Sequence, residues 1–323
     1  MRLNRLIAAC AVGAAALAAL PAAADNWPER PIKFVMTAPA GSSIDVLGRA
    51  IADKLAPRLG QPVVVENKPA AGGTVATAEV AHAAPDGYTM LLGYNGPLAF
   101  APLLQKLPYN VDKDLAPVIT TTSQPNVLAV TASLPVHSIA ELVAYAKANP
   151  GKLSYASVGN GSSSHLNMEL FKQMSGIDVV HIPFNGSPPA VMATVQGETQ
   201  MLFAVMPPLQ GQIKAGKLRA IAVTTAKPFP LLRGIPSIAE SGYPGFEALA
   251  WNGVMVPAGT PRAIIDRLNK EINAIFKEPD VVARMNTQGF ALVGGTPEEF
   301  AKLVDDEAKR WAPVIKSVGL KVD

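Results

Sequence analysis

Four loops rich in glycine and hydroxyl side chains each follow a short apolar run, and three of them lead into a helical pattern. The loops are Pro39–Ser43, Gly93–Pro97, Ser157–His165 and Pro183–Ser187. Glycine lets the backbone approach a ligand closely, and serine caps helices and donates hydrogen bonds. A helix N-terminus adds unpaired N–H groups and a partial positive charge, which suit an anion. A single loop of this kind is also typical of a plain cap and turn, but four in one chain favour a shared ligand cleft.

None of these loops contains an arginine or a lysine. An anion in the cleft would therefore be held by N–H groups, hydroxyls and helix dipoles rather than by a counter-charge. Each hydrogen bond to a charged group contributes about 1.5–3 kcal/mol, so roughly four to six of them could hold a carboxylate. The loops thus predict a small carboxylate as the ligand.

Signals for catalysis, metals and cofactors are weak, and we expect none of the three. The chain has no G-x-S-x-G elbow, and Gly159-Asn160-Gly161 followed by Ser164 is an incomplete dinucleotide fingerprint. A secreted hydrolase is a poorly supported alternative, because Ser162 or Ser163 with His165 is the only local nucleophile pair. The histidines lack the H-x-x-x-H spacing of a metal site: His82, His137, His165 and His181.

Two histidines and the acidic runs near the C-terminus can each be interpreted as structural or as functional. His165 falls in the first turn of a predicted helix, where it could contact a ligand or simply pack. His181 lies in an apolar run and is predicted to be structural. The acidic pair Glu298-Glu299 and the acidic triplet Asp305-Asp306-Glu307 are predicted to form a solvated helix face.

Composition excludes several classes of protein. With 49% hydrophobic residues, the chain is not disordered. The 28 basic and 25 acidic residues give a net charge of +3, which provides no basic face for nucleic acid, so we expect no nucleic-acid partner. The single cysteine, Cys10, excludes a disulfide framework and a thiolate zinc site.

Residues 1–24 have the features of a secretory signal peptide. Two arginines precede an uncharged apolar run, which ends in the small residues Ala22-Ala23-Ala24. The run is too short for a comfortable membrane span. We expect export and a mature chain that begins near Asp25; lipidation of Cys10 is the alternative, weakened by the short distance from Arg5.

The rest of the chain alternates short apolar runs with helical patterns, which predicts an α/β fold in two lobes, each with a parallel or mixed sheet flanked by helices. Strands are predicted at Ile32–Ala38, Val63–Val65, Tyr88–Leu92, Val127–Val130, Leu153–Ala156, Val179–Ile182, Met201–Ala204 and Ala220–Val223. Helices are predicted at Asp45–Leu59, Thr74–Ala83, Ile139–Ala148, Ser163–Met174, Pro189–Gln196, Leu209–Ala215, Pro261–Phe276, Pro279–Gln288 and Pro297–Ser317. The segments Thr122–Asn126 and Gly245–Trp251 are candidate crossings between the lobes.

Ordered motifs over nearly the whole mature chain resemble one family, the substrate-binding (Bug or TctC) proteins of tripartite tricarboxylate transporters of Gram-negative bacteria. The motifs are Trp27-Pro28-Glu29-Arg30-Pro31-Ile32, Gly60-Gln61-Pro62-Val63-Val64-Val65-Glu66-Asn67-Lys68-Pro69, Ala84-Pro85-Asp86-Gly87-Tyr88, Gly216-Lys217-Leu218-Arg219-Ala220, Val256-Pro257-Ala258-Gly259-Thr260-Pro261 and Gly294-Gly295-Thr296-Pro297-Glu298-Glu299-Phe300.

The resemblance implies a periplasmic binding protein of the Venus-flytrap type that closes on a small carboxylate and does no covalent chemistry. We expect a monomer. Lobe one would comprise residues 25–126 plus 249–323, and lobe two residues 127–248. The family's ligand loops map onto Pro39, Ala40, Gly41, Ser42 and Ser43 with Asp45, onto Tyr94, Asn95 and Gly96, onto Asn160, Gly161, Ser162, Ser163 and His165, onto Asn185, Gly186 and Ser187, and onto Ala204.

Two departures from the family pattern bear on the ligand. The first loop usually reads Pro-Gly-Gly, and here Ala40 replaces a glycine. Ala204 stands where many members carry an aspartate that could take a ligand ammonium. Its absence favours a di- or tricarboxylate or an aromatic acid over an amino acid, and Leu98 and Phe100 point the same way.

Delivery of the ligand to the membrane subunits of a transporter is the function that the resemblance implies. The alternative is a signalling receptor whose liganded form engages a sensor ectodomain. The same fold serves both, so the sequence leaves this choice open.

Overall fold

The computed structural model describes residues 26–287, 289–317 and 319–320, which form two mixed β-sheets with helices on their faces. The predicted signal peptide and Cys10 lie outside the described residues. The strands are β1 (Ile32–Met36), β2 (Val63–Asn67), β3 (Thr89–Tyr94), β4 (Leu115–Gln124), β5 (Val127–Thr131), β6 (Leu153–Ser157), β7 (Val179–Pro183), β8 (Met201–Ala204), β9 (Leu218–Val223), β10 (Ala250–Pro257) and β11 (Leu292–Gly294).

The helices connect these strands and cover the sheets. They are α1 (Ser43–Leu59), α2 (Thr74–Ala81), α3 (Ala101–Leu104), α4 (Val111–Asp114), α5 (Ile139–Ala148), α6 (Ser163–Ser175), α7 (Ser187–Gln196), α8 (Met206–Lys214), α9 (Arg262–Ile275), α10 (Pro279–Thr287) and α11 (Pro297–Ser317), with a 3₁₀ turn at Ala71–Gly73 and a π-helical turn at Gly96–Phe100. No helix in the described ranges has the length and apolar character that crossing a membrane requires.

The first sheet, with its helices, is called lobe one below. Its strand order is β11-β4-β10-β3-β1-β2. β1 pairs in parallel with β2 and β3, whereas β10 runs antiparallel to both β3 and β4. The parallel part follows from helical crossovers such as α1, and the antiparallel part comes from the chain that returns after β9.

Alternate residues of β1 show how both faces of this sheet are buried. Phe34 and Met36 belong to a core that includes Leu47 and Ile51 of α1. Val35 points to the other face, into a core that includes Phe300 of α11. The period of two along the strand therefore supplies two cores at once.

The second sheet, with its helices, is called lobe two. Its order is β7-β6-β8-β5-β9, with β6 parallel to β7 and β8, and β5 antiparallel to β8 and β9. Leu128 and Val130 pack with Phe171 of α6 on one face, while Val127 and Ala129 face the core that includes Leu209 of α8. The predicted α/β class with a flanked, mixed sheet in each lobe is confirmed.

The chain passes between the lobes where β4 ends and β5 begins, at residues 125–126, and returns between β9 and β10. Backbone hydrogen bonds tie the two crossings together: Thr224 N–H donates to Asn126 O at 3.0 Å, and Ala248 N–H donates to Thr224 O at 2.8 Å. These residues form the hinge segment named below.

Three strands that the sequence analysis did not predict complete lobe one, namely β4, β10 and the short β11. β4 and β10 make the most extensively paired ladder in the first sheet, and both are deeply buried. The sequence of β4 contains Pro117 and a polar Thr-Thr-Thr-Ser run, and β10 contains Asn252-Gly253, which is typical of a turn. Tertiary burial decided the structure of both segments.

The predicted solvated face of the C-terminal helix is wrong for Glu307. This residue is only 7% exposed, and its carboxylate accepts hydrogen bonds from Trp251 Nε1 at 2.9 Å and Trp311 Nε1 at 2.6 Å. Burial raises the pKa of Glu307, and the two indole bonds oppose that rise. The carboxylate therefore fixes α11 against β10 rather than facing water.

Candidate functional site

A cavity lies between the two lobes, bounded by the loops that follow β1, β2, β3, β6, β7 and β8 and by the hinge segment. It contains about 710 Å³ of atom-free space, including its opening to solvent. Its lining residues are Thr37, Ala38, Pro39, Ser42, Ser43, Ile44, Pro69, Gly72, Gly73, Tyr94, Asn95, Asn126, Val158, Ser163, Ser164, Asn185, Gly186, Ser187, Ala204, Val205, Ala250, Trp251 and Asn252. None of them carries a charge, so the cavity offers only dipoles and hydrogen bonds.

The first wall is the start of α1. Ser42 caps this helix and accepts a hydrogen bond from the Asp45 N–H at 3.2 Å. Ser43 and Ile44 are the first two helical residues, so their N–H groups have no partner within the helix. Both residues line the cavity, which places the positive end of the α1 dipole there.

Asp45 does not line the cavity. It is 5% exposed, and its carboxylate accepts bonds from Gly41 N–H at 2.9 Å, Arg49 Nε at 2.9 Å and Asn67 Nδ2 at 3.0 Å. Burial works to raise the pKa of this carboxyl, but the three donors outweigh it and hold the pKa below its ordinary value. Asp45 therefore braces the β1–α1 loop from behind.

The second wall is the start of α6 in lobe two. Ser162 caps the helix, accepting a bond from the His165 N–H at 3.4 Å and donating to Gly159 O at 2.6 Å. Ser164 accepts a bond from Val158 N–H at 2.9 Å. Ser163 and Ser164 line the cavity as the first two residues of the helix, so a second helix N-terminus faces the same space.

His165 lies behind this wall in a stack of rings. Its ring is 4.0 Å from that of His181 at an angle of 11°, and the His181 ring is 4.8 Å from Tyr155 at 18°. His165 Nδ1 accepts a bond from the Gly161 N–H at 3.2 Å, and His181 Nε2 lies 2.7 Å from Ser157 Oγ. Neither histidine lines the cavity; together they support the loop between β6 and α6.

Burial is the main cause of the low pKa of both histidines. It lowers the pKa of His165 to about 4, with Glu169 opposing the shift and Lys172 adding to it. It lowers the pKa of His181 to about 3, and His165 and Lys172 lower it further. Both rings are therefore neutral at neutral pH.

The third wall is the start of α7. Gly186 precedes this helix with φ of 101°, a conformation that favours glycine, and Ser187 is its first residue. Pro188 and Pro189 follow and have no N–H group, so Ser187 supplies the only amide of the first three positions. The Ser187 Oγ is buried without a hydrogen-bond partner and belongs to a residue that lines the cavity.

The lobes touch at the mouth of the cavity, in a set of contacts called the seam. A methyl group on Gly186 would lie 2.6 Å from Cγ and Cδ of Pro39, and one on Gly72 would lie 3.1 Å from Asn160 O. These glycines therefore allow backbone from one lobe to meet the other lobe at van der Waals distance. The structure shows the two lobes closed on each other along this edge.

The floor of the cavity comes from the hinge segment and the end of β3. Asn95 Nδ2 donates to Leu249 O at 3.0 Å, and Asn252 Nδ2 donates to Thr122 Oγ1 at 2.7 Å. Asn95 Oδ1 and Asn126 Nδ2 are buried without a partner. Tyr94 turns its hydroxyl to Gly72 O at 2.8 Å, and burial raises the pKa of that hydroxyl.

The structure brings ten of the eighteen sequence-derived site residues to the cavity surface: Pro39, Ser42, Ser43, Tyr94, Asn95, Ser163, Asn185, Gly186, Ser187 and Ala204. The other eight lie elsewhere. Ala40, Gly41 and Asn160 are exposed near the mouth, while Asp45, Gly96, Gly161, Ser162 and His165 are buried outside the lining. Gly161 faces Leu104, whose Cδ1 would lie 2.8 Å from a methyl group on it.

Sequence reasoning missed the floor and part of the 3₁₀ turn. Asn126, Ala250, Trp251 and Asn252 come from the hinge segment and from β10, which carried no strand prediction. Gly72 and Gly73 follow the family motif that ends at Pro69, but their role at the mouth had no signal of its own. An Asn that ends an uncharged crossing between lobes is the signal that could have found Asn126.

The part of the chain that the structure describes contains no group of three or more His, Cys, Asp or Glu side chains placed to hold a metal ion. The cavity chemistry is that of amides, hydroxyls and helix N-termini. Such a donor set suits an anion with several oxygen atoms.

Comparison with known proteins gives the class. A sequence profile described as "Tripartite tricarboxylate transporter family receptor" (TctC) matches residues 47–320. The chain belongs to this family, whose members are solute-binding proteins of the periplasm.

Individual relatives agree in fold and in length. Protein BugT of Bordetella pertussis is 38% identical over 325 residues, covering 100% of both chains. The structure of R. palustris Rpa4515 with adipate has a TM-score of 0.89 and 35% identity over 91% of this chain and 99% of that one. Periplasmic binding protein BugD gives 0.87 and 34% (91% and 99%), and MatC from Rhodopseudomonas palustris with bound malate gives 0.85 and 32% (90% and 100%).

Proposed function

We propose that this protein is a periplasmic receptor that captures a small carboxylate in the cavity between its lobes and delivers it to the membrane subunits of a tripartite tricarboxylate-type transporter. One observation carries the proposal. Three helix N-termini, those of α1, α6 and α7, meet at a single cavity without any charged side chain in its lining. Two of the similar structures contain adipate and malate, which are both dicarboxylates.

The uncharged lining limits the ligands that the cavity suits. A carboxylate is stabilised by helix N-termini and by several N–H and O–H donors. An ammonium group would need an acidic partner, because an unpaired buried charge is costly. Ala204 lines the cavity where an acidic residue would serve that purpose. A di- or tricarboxylate or an aromatic acid is therefore favoured over an amino acid.

Closure explains how binding could be coupled to delivery. A ligand that contacts α1 of lobe one and α6 and α7 of lobe two binds the closed arrangement better than an open one. It shifts the population toward the closed form by that difference in affinity. Membrane subunits that recognise the closed form would then receive loaded protein only.

Calorimetry tests the ligand class. Purified mature protein is unfolded and refolded to remove bound ligand, and is then titrated with citrate, succinate, adipate, terephthalate and glutamate. We expect at least one of the four acids without an amino group to bind more tightly than glutamate. Tight binding of glutamate alone, or of no carboxylate, contradicts the proposal.

A variant links the binding to this cavity. Ser163→Ala removes a hydroxyl from the cavity lining at the start of α6. Loss of a hydrogen bond to a charged group should lower the affinity about tenfold to a hundredfold. Ser241→Ala is the matched control, since its hydroxyl donates to Ser237 O and does not line the cavity. Equal affinities in the two variants would place the ligand elsewhere.

The signalling alternative stays a prediction, as does the monomeric state. The same receptor fold serves transport and signalling, and closure on a ligand is common to both. Transport assays in cells that lack the gene, with and without the membrane subunits, separate the two.

A further inference from the structure

One flank of α6 in lobe two packs against lobe one beside the cavity, away from the ligand lining. Leu166 is 1% exposed and belongs to a buried apolar cluster whose other buried members come from lobe one, apart from Ala248 of the hinge segment. Leu170, about one turn further along α6, is partly buried and packs against both this cluster and the core of lobe two. The helix therefore joins the apolar cores of the two lobes.

Two further contacts extend this packing in opposite directions along α6. Before the helix, a methyl group on Gly161 would lie 2.8 Å from Leu104 Cδ1 of α3. Near the end of the helix, Gln173 Nε2 donates a hydrogen bond to Ser317 Oγ at 3.2 Å, so the end of α11 reaches lobe two. These contacts are together called the side contact, and its residues are Gly161, Leu166, Leu170 and Gln173 of lobe two with Leu104 and Ser317 of lobe one.

We propose that the side contact favours the closed form of the receptor before any ligand is bound. All six of its residues lie outside the cavity lining, so it acts without touching the ligand. It sets the fraction of empty protein that is closed. The proposal goes beyond the proposed function, because it concerns the protein before a ligand arrives.

The position of the side contact indicates that it breaks when the mouth opens. Gly161 follows Asn160, whose carbonyl oxygen faces Gly72 in the seam. The Gly161 N–H donates to His165 Nδ1 at 3.2 Å, so this loop is tied to the first turn of α6. When Asn160 moves away from Gly72, it carries α6 and Leu166 away from lobe one. The side contact is therefore a closing contact rather than a pivot that is kept in both forms.

Apolar burial is the reason that the side contact favours closure. Leu166 and Leu104 are 1% and 7% exposed in the closed structure, and separation of the lobes would bring both side chains toward water. Burial of apolar surface is the dominant favourable contribution when protein surfaces associate. The closed fraction of the empty protein also sets the apparent affinity, because a ligand that binds the closed form binds in proportion to that fraction.

Small-angle X-ray scattering of ligand-free protein tests the proposal with two matched variants of α6. Leu166→Ala removes a buried side chain from the side contact, so the empty protein should open and its radius of gyration should exceed that of the wild type. Met168→Ala is the control, because Met168 is fully buried on the same helix but belongs to the core of lobe two. It should lose stability without a change in radius.

Ligand affinity gives a second measurement, made with whichever of citrate, succinate, adipate and terephthalate binds the wild type most tightly. Leu166→Ala should bind that acid about tenfold more weakly, because the closed fraction of the empty protein falls. Saturating acid should bring its radius back to the wild-type value. Leu104→Ala removes the contact from the side of lobe one and should change the radius and the affinity in the same direction. Circular dichroism and the midpoint of thermal unfolding verify that each variant is folded.

The outcomes separate this inference from the proposed function. A ligand-free radius that stays at the wild-type value in Leu166→Ala, or that rises equally in Met168→Ala, contradicts a closing role for the side contact. If Leu166→Ala does not fold, the radius of Leu104→Ala decides in the same way. If no acid binds the wild type, the proposed function fails, and the ligand-free radii still decide whether the side contact closes the lobes.

Discussion

Asp45 and His165 show why a residue's type and position in a loop do not reveal which way it faces. Both are polar, both lie in the first turn of a helix at the cleft, and both turn away from the cavity. Asp45 is occupied by Gly41, Arg49 and Asn67, which are themselves parts of lobe one. The direction depends on partners that are distant in sequence, so loop composition predicts which loops border the cavity but not which way these two side chains face.

The buried histidine pair predicts a dependence of stability on pH. His165 and His181 have folded-state pKa values of about 4 and about 3, well below the ordinary value near 6.5 that applies in the unfolded chain. Below pH 6.5 the unfolded state therefore binds more protons than the folded state. Stability is fully present above pH 6.5 and is lost as pH falls toward 4 and 3, by at most about 1.4 kcal/mol per pH unit for each histidine.

Urea unfolding between pH 7.5 and pH 5 measures this slope in the wild type and in His181→Gln, which stays neutral throughout. We expect a shallower loss of stability in the variant. His137→Gln, at an exposed position, is the matched control. A variant at position 181 with the wild-type slope would show that the buried ring does not govern the loss.

At the scale of elements, the longer helices and most strands follow from local patterns, while β4, β10 and β11 do not. The spacing of the apolar residues in the sequence predicts amphipathic helices such as α1 and α9. β10 has its Asn-Gly pair in the middle of a buried strand, where it looks like a turn. The reason for Gly253 is packing, because a methyl group there would lie 2.0 Å from Cζ of the fully buried Phe300 of α11.

Gly253→Ala should therefore destabilise the protein. The Phe300 ring is enclosed and cannot move away freely, so overpacking should cost about 1–3 kcal/mol or more. Gly211→Ala is the matched control in the exposed face of α8, where no atom lies within 4 Å of the added methyl group. That change should be neutral or should stabilise by about 0.5–1 kcal/mol. Chemical denaturation of both variants gives the comparison, and equal stabilities would contradict the packing account of β10.

At the scale of the whole molecule, the two-lobed architecture follows from the alternation of strands and helices, and the clustering of Gly- and Ser-rich loops follows from parallel strands that end at one edge. The floor of the cavity does not. Asn126, Trp251 and Asn252 reach the site through crossings between lobes and through a strand added from the end of the chain. Their position depends on the place of β10 between β4 and β3 in the first sheet, which no local sequence pattern predicts.

The seam predicts the effect of a single methyl group on closure. In Gly186→Ala the new Cβ would lie 2.6 Å from Cγ and Cδ of Pro39, which belongs to the opposite lobe. We expect ligand affinity to fall at least about tenfold, and small-angle X-ray scattering at saturating ligand to show a larger radius of gyration than the wild type. Adding Pro39→Ala, which removes both ring atoms, should restore part of the ligand affinity and bring the radius of gyration back toward the wild-type value.

Backbone strain alone does not explain this expectation, and a second glycine controls for it. Gly197 has φ of 83°, similar to the 101° of Gly186, but no atom lies within 4 Å of a methyl group there. Gly197→Ala should lose stability without any change in affinity or radius. If it weakens binding as much as Gly186→Ala does, the contact with Pro39 is not the cause.

The seam also has a bearing on the size of the cargo. Pro39 packs against Gly186 and Gly72 packs against Asn160 so tightly that neither contact has room for an added methyl group. A ligand that protrudes between these residues would therefore prevent the two lobes from closing. An acid that is a few atoms too long could bind to the helix N-termini and still keep the two sides of the seam apart. The seam would then select ligands by length. Longer acids would bind inside the cavity, but the protein would not reach the closed form that delivers its ligand.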